Sequence, residues 1–311
     1  MGMTSRLYDS DDDLPVLTDL VSATTDPTRA NAWHVGDVVW AMYQNTVDDP
    51  FQNLRIWEDE AGVAQGFIWF YPRGGEALVC LRPPLRGDDA ILDAMYAWAT
   101  QRAMQTASSE RAPVLHTQAL DGDTALVAYL TAHGFTREES HYVHMRRDLD
   151  GEIPAPTPPD GWTVRQVGGE QEWQRRVDTH REVYHPSRVT LAAYRRLRRA
   201  PLYRPELDLV AVSPEREFAS YCICWYDPVT RVGEFEPVGT RAAYRRRGLG
   251  RALMFEGQRR LRALGARTAI VYTNGDNIPA IPLYESAGFR IVDRDYLYQR
   301  PLPLPQGDPA P

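Results

Sequence analysis

The run Arg245-Arg246-Arg247-Gly248-Leu249-Gly250-Arg251 has the residue types and spacing to hold an anion. Its two glycines let the backbone turn tightly and aim successive N–H groups at one point. A helix beginning there adds the partial positive charge of its N-terminus, so the turn suits a pyrophosphate. A dinucleotide-binding fingerprint would need a third glycine and an acidic residue about 20 positions on. The next glycine, Gly257, falls inside the expected helix, and that reading fails. The bland alternative is a solvated arginine cluster at a helix start.

Other residue types exclude chemistry. Cys222 and Cys224 lie two apart in the strand-like run Ser220–Trp225 and point to one face. Metal-binding pairs are usually spaced more widely and matched by a second pair, and the one other cysteine is Cys80. All three read as buried thiols. His141 and His144, three apart in a strand-like segment, face opposite ways and cannot share a metal. No metal site is expected. There is no lysine, so the chain offers no side-chain amine for self-acylation.

The elements that must position the glycine turn alternate clearly. Trp162–Val167 reads as a strand, Glu170–Tyr184 as a helix closed by His185-Pro186, and Thr190 as the cap of a second helix reaching Arg199. Leu207–Val212, Glu217–Tyr226 and Val232–Val238 are strands, with a turn at Asp227-Pro228. Gly248 to Leu264 carries an apolar stripe at helical spacing and ends at Gly265. Thr268–Thr273 is a strand, Asn277–Ala287 a helix, and Phe289 opens two final strands.

The first half repeats this layout. Gly66–Tyr71 and Glu76–Leu81 form a hairpin, Ala90–Met104 a helix, Val114–Gln118 a strand and Thr124–Ala132 a helix before Gly134-Phe135. Gly134-Phe135 corresponds to Gly288-Phe289, Arg86-Gly87 to Arg247-Gly248, and Tyr142 and Arg146 to Tyr296 and Arg300. The expected fold is α/β, with two tandem units, each a mixed, mostly antiparallel sheet flanked by helices. Residues 1–150 form the first unit, 151–160 a proline-rich linker, 161–302 the second, and 303–311 a disordered tail.

Arg245-x-x-Gly248-x-Gly250, set between a strand and a helix, resembles the acyl-CoA pyrophosphate motif of the GNAT superfamily of N-acyltransferases. Asn277-Ile278-Pro279-Ala280-Ile281-Pro282-Leu283-Tyr284-Glu285-Ser286-Ala287-Gly288-Phe289 resembles that family's second signature. The tandem arrangement is loosely similar to that of the mycothiol synthases. The resemblance implies acetyl-CoA as donor and a tandem GNAT-like fold. It implies that the amides of Arg245, Arg246, Arg247, Gly248, Leu249, Gly250 and Arg251 bind pyrophosphate. Backbone groups of Val238 and Thr240 would pair with the pantetheine arm like an added strand, and Asn277 would contact the cofactor. Pro237, lacking an N–H, fits the bulge where strands splay to admit that arm. Tyr284 would protonate the leaving thiolate. An amine acceptor must lose a proton before attack. Glu234 and Glu236 alternate on the strand face leading to the bulge, and Glu236, nearer the acyl group, is the expected base. Either carboxylate could instead bind or shape.

The first unit departs from the motif. Its turn reads Leu85-Arg86-Gly87-Asp88-Asp89, Leu130 replaces Tyr284, and Asp123 replaces Asn277, so it is expected to be non-catalytic and to shape the acceptor cleft. Residues 1–150 hold 11 Arg against 23 Asp and Glu, residues 151–311 hold 24 against 19, and the whole chain carries −7. A basic second half suits an anionic co-substrate, while the acidic first half argues against nucleic acid. The many arginines between Arg175 and Arg199 read mostly as solvated, with some able to clamp an anionic acceptor. No apolar run is long enough for a membrane span, and no signal-peptide core follows Met1, so a cytoplasmic protein is expected. The expectation is direct acetyl transfer, in a ternary complex, to an amine of a small molecule or peptide. The alternatives are an aminoacyl-tRNA-dependent transferase of the same tandem fold and a non-enzymatic acyl-CoA sensor.

Overall fold

The computed structural model describes residues 2–26, 28–44, 49–107 and 112–303; the tail expected to be disordered lies outside them from position 304 on. The first half contributes β1 (Thr4–Leu7), α1 (Leu14–Thr24), α2 (Val35–Gln44), α3 (Pro50–Asn53), β2 (Leu54–Glu58), β3 (Ala64–Tyr71), β4 (Glu76–Leu81), α4 (Asp89–Thr106), β5 (Val114–Leu120), α5 (Thr124–Ala132) and β6 (Thr136–Asp148). The second half contributes β7 (Thr163–Gln166), α6 (Trp173–Val183), α7 (Leu191–Leu197), β8 (Asp208–Val212), β9 (Phe218–Asp227), β10 (Val232–Thr240), α8 (Leu249–Ala263), β11 (Thr268–Asn274), α9 (Ala280–Ser286) and β12 (Arg290–Pro301).

The described strands join in one sheet, ordered β1-β2-β3-β4-β5-β12-β6-β11-β10-β9-β8-β7. It is mixed and mostly antiparallel, with parallel pairing at β4–β5 and β10–β11. The order reveals an exchange. β6, from the first half, pairs with β11 of the second from Thr268↔Asp148 to Asn274↔Tyr142. β12 pairs in return with β5 from Asp295↔Leu120 to Pro301↔Val114. The two lent strands also pair with each other, and Tyr142↔Asp295 and Tyr296↔His141 are symmetric mates. The repeat is therefore related by a local pseudo-twofold, the arrangement that closes a homodimer interface. Side chains follow the strands: Val143 and Met145 enter the second half's core, Tyr298 and Leu302 the first's.

Two expected elements differ. The two strands expected after Phe289 are one strand, Arg290–Pro301, with register shifts at Ile291/Asp293 and Tyr296/Tyr298. Neighbours on both edges carry the ladder across these irregularities. The helix expected from Asn277 begins at Ala280, because Pro279 is its cap and the Asn277 N–H is spent in a turn on the Asn274 carbonyl. The repeat shows in the caps: Gly134 and Gly288 adopt φ of 79° and 87°, and the Phe135 and Phe289 amides close back on Leu130 and Tyr284.

β9 is buried along its whole length because both faces are covered. Cys222 and Cys224 pack into the core beneath α8, while Ile223 and Trp225 pack against α1, α2 and α7. The period of two thus places the thiols together in apolar surroundings, where burial pushes Cys224 upward. α2, from the first half, consequently roofs the second half's sheet, while α1 lies over β3 and β4 of its own half.

Candidate active site

Gly248 caps α8 at φ 77°, in the left-handed region where a side chain is strained, and Arg246 before it sits at φ 64°. No side chain caps this helix, and the first bond across its start is Ala252 N–H to the Gly248 carbonyl. The amides of the first turn are left for an acceptor, with the helix charge behind them. Leu249 is buried as an anchor, whereas Arg245, Arg246, Arg247 and Arg251 are exposed around the turn. A Cβ on Gly250 would lie 3.1 Å from Leu283 and 3.7 Å from the Thr240 hydroxyl, so the turn abuts α9 and the end of β10.

There β10 and β11 part. Their parallel pairing covers Val232–Glu234 against Thr268–Ile270 and stops. β10 shifts register against β9 between Phe235 and Val238, with a cis Glu236-Pro237 peptide in the shift. Arg241 N–H bonds the Ala219 carbonyl, so by alternation Gly239 and Arg241 turn their backbone groups to β9. Val238 and Thr240 turn theirs to the opening. Tyr184, at the end of α6, donates its hydroxyl to the Val238 carbonyl at 2.7 Å, and Arg245 Nε reaches the Thr240 carbonyl at 3.2 Å. Asn277 is exposed in the turn before α9 and donates Nδ2 to the Thr273 hydroxyl.

Three carboxyls meet at the inner end. Glu234 is fully buried, and burial pushes it up to about 8. Asp37, from α2, is pushed to about 7, first by burial and then by the Glu234 charge. Glu236 is raised well above the carboxylate range by burial, Glu234 and Asp37. Asp37 Oδ2 accepts the His34 amide at 2.7 Å, closing half a capping box on α2, and its other oxygen accepts the Tyr272 hydroxyl. A Cβ on Gly36 would fall 2.4 Å from both Glu234 Oε2 and Trp225, so only glycine lets α2 come this close.

His34 fixes the protonation of Glu234. Its Nε2 lies 3.3 Å from the Val232 carbonyl, which can only accept, so Nε2 carries the hydrogen. Its Nδ1 accepts the Gly36 N–H at 3.0 Å, so Nδ1 is the lone pair. Glu234 Oε2, 3.0 Å from the same Nδ1, must therefore supply an O–H. Burial holds His34 neutral, in agreement. Glu234 is a neutral acid locked into the core, and one of the two like charges acting on Glu236 is removed. Glu236 is half-buried, and among the described residues no partner binds its carboxyl.

Tyr284, 5% exposed on α9, has no hydrogen-bond partner among the described residues. Burial, the Glu236 charge and Cys222 raise its pKa, so it keeps its proton at neutral pH. The residues expected from the sequence thus gather around one opening. His34, Asp37 and Tyr272 were missed. The pointer to them is an Asp three places after His34, alone among valines at a helix start. Of the arginines between Arg175 and Arg199, Arg181, Arg188 and Arg199 are exposed, whereas Arg176 is buried against Asp208 at 3.0 Å and Arg198 stacks on Trp173. Among the described residues there is no cluster able to hold a metal and no helix long and apolar enough to cross a membrane.

Comparisons with known proteins agree with this geometry. Residues 172–289 match the acetyltransferase (GNAT) family. A mycothiol acetyltransferase of Nocardioides sp. is 30% identical over 189 residues, 55% of this chain and 64% of that one. Its counterpart in Thermomonospora curvata is 32% identical over 191 residues, 58% and 62% of the two chains. These matches span less than two thirds of either relative's length. A tandem GNAT protein from the clavulanic acid biosynthesis pathway superposes with a TM-score of 0.68 at 18% identity, covering 96% of this chain and 98% of that one. A GCN5-related N-acetyltransferase from Sphaerobacter thermophilus gives 0.66 at 19%, covering 96% and 95%. The chain has the tandem GNAT fold.

Proposed function

We propose, from a second half that carries a domain of the acetyltransferase (GNAT) family, that this protein moves an acetyl group from acetyl-CoA directly to an amine in a ternary complex. The observation that carries this reading is the uncapped start of α8 beside the parting of β10 and β11. An anion there has free amides, and an extended arm between the strands has the Val238 and Thr240 backbone groups. Tyr184 must release the Val238 carbonyl for that pairing. Bound acetyl-CoA supplies an activated thioester carbonyl. In its ionised form Glu236, which burial makes a stronger base than a free carboxylate, takes a proton of the attacking ammonium, directly or through water. Tyr284 gives its proton to the departing sulfur as the C–S bond breaks, and the second proton that the nitrogen sheds on becoming an amide passes through solvent and restores Tyr284, so the products are an amide, a thiol and the one proton taken up by Glu236. No covalent enzyme intermediate is required, and the cysteines are buried away from the opening's surface, Cys222 and Cys224 in the core beneath α8 and Cys80 in the core beneath α1.

The test is release of free CoA thiol in the presence of a panel of amines, with the acetylated product identified by mass. The reading expects turnover with at least one amine and a stable amide product. Saturable acetyl-CoA binding with no acetylated amine on a broad panel would overturn it.

A further inference from the structure

A cavity of about 230 Å³ opens beside Asp37 and Tyr272, roofed by the first half and floored by the exchanged strands. The aromatic residues Trp33, Trp40, Tyr71, Tyr142 and Tyr272 line it. Its charged groups are Asp37 at the transfer end and Asp295 on β12, with His144 between. Among the described residues no arginine lines it, in a chain with 35 of them. Asp295 is 5% exposed, and its Oδ1 is buried with no hydrogen-bond partner among the described residues. Its Oδ2 lies 3.8 Å from His144 Nε2. A buried carboxylate oxygen left unpaired is costly, and a positively charged N–H donor would relieve it. Five aromatic side chains around the same space favour a cation again.

We propose that this cavity selects an acceptor with a second positive charge: a diamine, a polyamine or an amino sugar, acetylated at one nitrogen and held by Asp295 through another. The proposal rests on the acetyl-transfer reading above and names the substrate class of that site. Tyr272 and Asp295 stand on strands two places apart, about 10 Å at the usual strand spacing. A flexible diammonium chain covers that distance, with its reacting nitrogen by Glu236 and Asp37. An acceptor bearing a carboxylate there would meet like charge instead.

The experiment compares putrescine, spermidine, kanamycin, n-butylamine and glycine as acceptors in the full chain. Binding of each to the CoA-loaded protein is measured calorimetrically in parallel. The expected result is a kcat/KM for a diammonium acceptor at least about tenfold above that for n-butylamine, carried by KM. Putrescine and spermidine against kanamycin separate a flexible polyamine from a rigid amino sugar. Asp295→Asn should collapse the diamine-to-monoamine ratio about tenfold while acetyl-CoA binding persists. Trp40→Leu, on the opposite wall, should weaken every cationic acceptor, and it supplies a second test if Asp295→Asn fails to fold. Equal use of n-butylamine and putrescine, or preference for glycine, sinks the proposal while leaving acetyl transfer standing. Asp295-dependent binding of diamines without acetylation has the opposite meaning: the cavity assignment holds and the transferase reading falls.

Discussion

The starts of α4 and α8 occupy equivalent places in the two halves and differ in one respect that decides their chemistry. α8 begins at Gly248, with no side chain on its first amides. α4 begins at Asp88, whose carboxylate accepts the Ala90 N–H at 3.0 Å, and Asp89 adds a second negative charge in the first turn. The anion that α8 leaves to a ligand is built into the chain at α4. The next helices differ in the same way. Asp123 caps α5 with its own carboxylate, and buried Leu130 stands where α9 has the Tyr284 hydroxyl. The first half keeps the strand–turn–helix layout of the second and satisfies its helix starts with its own carboxylates. It retains the glycine cap and the closing phenylalanine because those hold the fold. Its remaining contribution is at the interface, where α2 brings His34 and Asp37 onto the partner half's sheet.

The largest effect that can test this contrast is on acyl-CoA binding. Gly248→Glu puts a strained residue and a like charge at the uncapped helix, and calorimetric titration should show acetyl-CoA binding abolished. Gly87→Glu changes an exposed position with open space around it and should leave the stoichiometry at one. Two equivalent sites, or loss on Gly87→Glu, would show that Asp88 does not close the first half.

A smaller effect separates binding from chemistry. Tyr284→Phe deletes a buried hydroxyl that has no partner among the described residues, so neither fold nor acetyl-CoA affinity should change appreciably. The rate under conditions where chemistry limits turnover should fall about 100-fold, the usual size of a lost general acid. An unchanged rate would make Tyr284 a packing residue equivalent to Leu130, and the contrast between the halves would reduce to binding alone.

Periodicity and caps were enough to read most of the second half. Thr190 does cap α7, through the Ala193 amide, and in the first half the Glu76–Leu81 strand likewise has its expected ends. The glycine turn and the end of α9 were readable because their requirements are local: Gly248 and Gly250 serve one turn, and Tyr284 and Gly288 one helix. The buried carboxyl cluster was not. Asp37 meets Tyr272 across 235 positions, and His34 meets Glu234 across 200. Neither pair leaves a spacing signal, because the contact depends on α2 roofing the other half's sheet. The strand exchange is hidden for a related reason. β6 and β12 have the same pattern whether each closes its own half or the other, and pairing is decided by long-range register.

The carboxyl pair on β10 offers the finest test, because Glu234 and Glu236 share a face and differ in their partners. Glu236→Gln removes the unpaired carboxylate and should lower the rate on the order of 10- to 100-fold at neutral pH. The deficit should shrink as pH rises and free amine replaces the missing base. Glu234→Gln should behave otherwise. In the native protein the neutral carboxyl donates an O–H to His34 Nδ1, and a glutamine amide can donate an N–H to the same atom. The variant should fold and turn over within a few-fold of native, and its stability should respond differently to pH. Glu234 is raised from 4.5 to about 8, so the folded state keeps a proton that the unfolded chain has lost. Its contribution is complete below about 4.5 and disappears as pH rises through about 8, a loss on the order of a few kcal/mol. His34, lowered from 6.5, acts in the opposite sense on the acid side, where the unfolded chain takes up a proton the folded one refuses. Urea unfolding at pH 5, 6.5 and 8 should therefore show native stability falling between 6.5 and 8, and Glu234→Gln falling less over the same interval. If Glu234→Gln instead produces the pH-dependent loss of rate, Glu234 is the ionised base and the proton between it and His34 has been placed on the wrong atom.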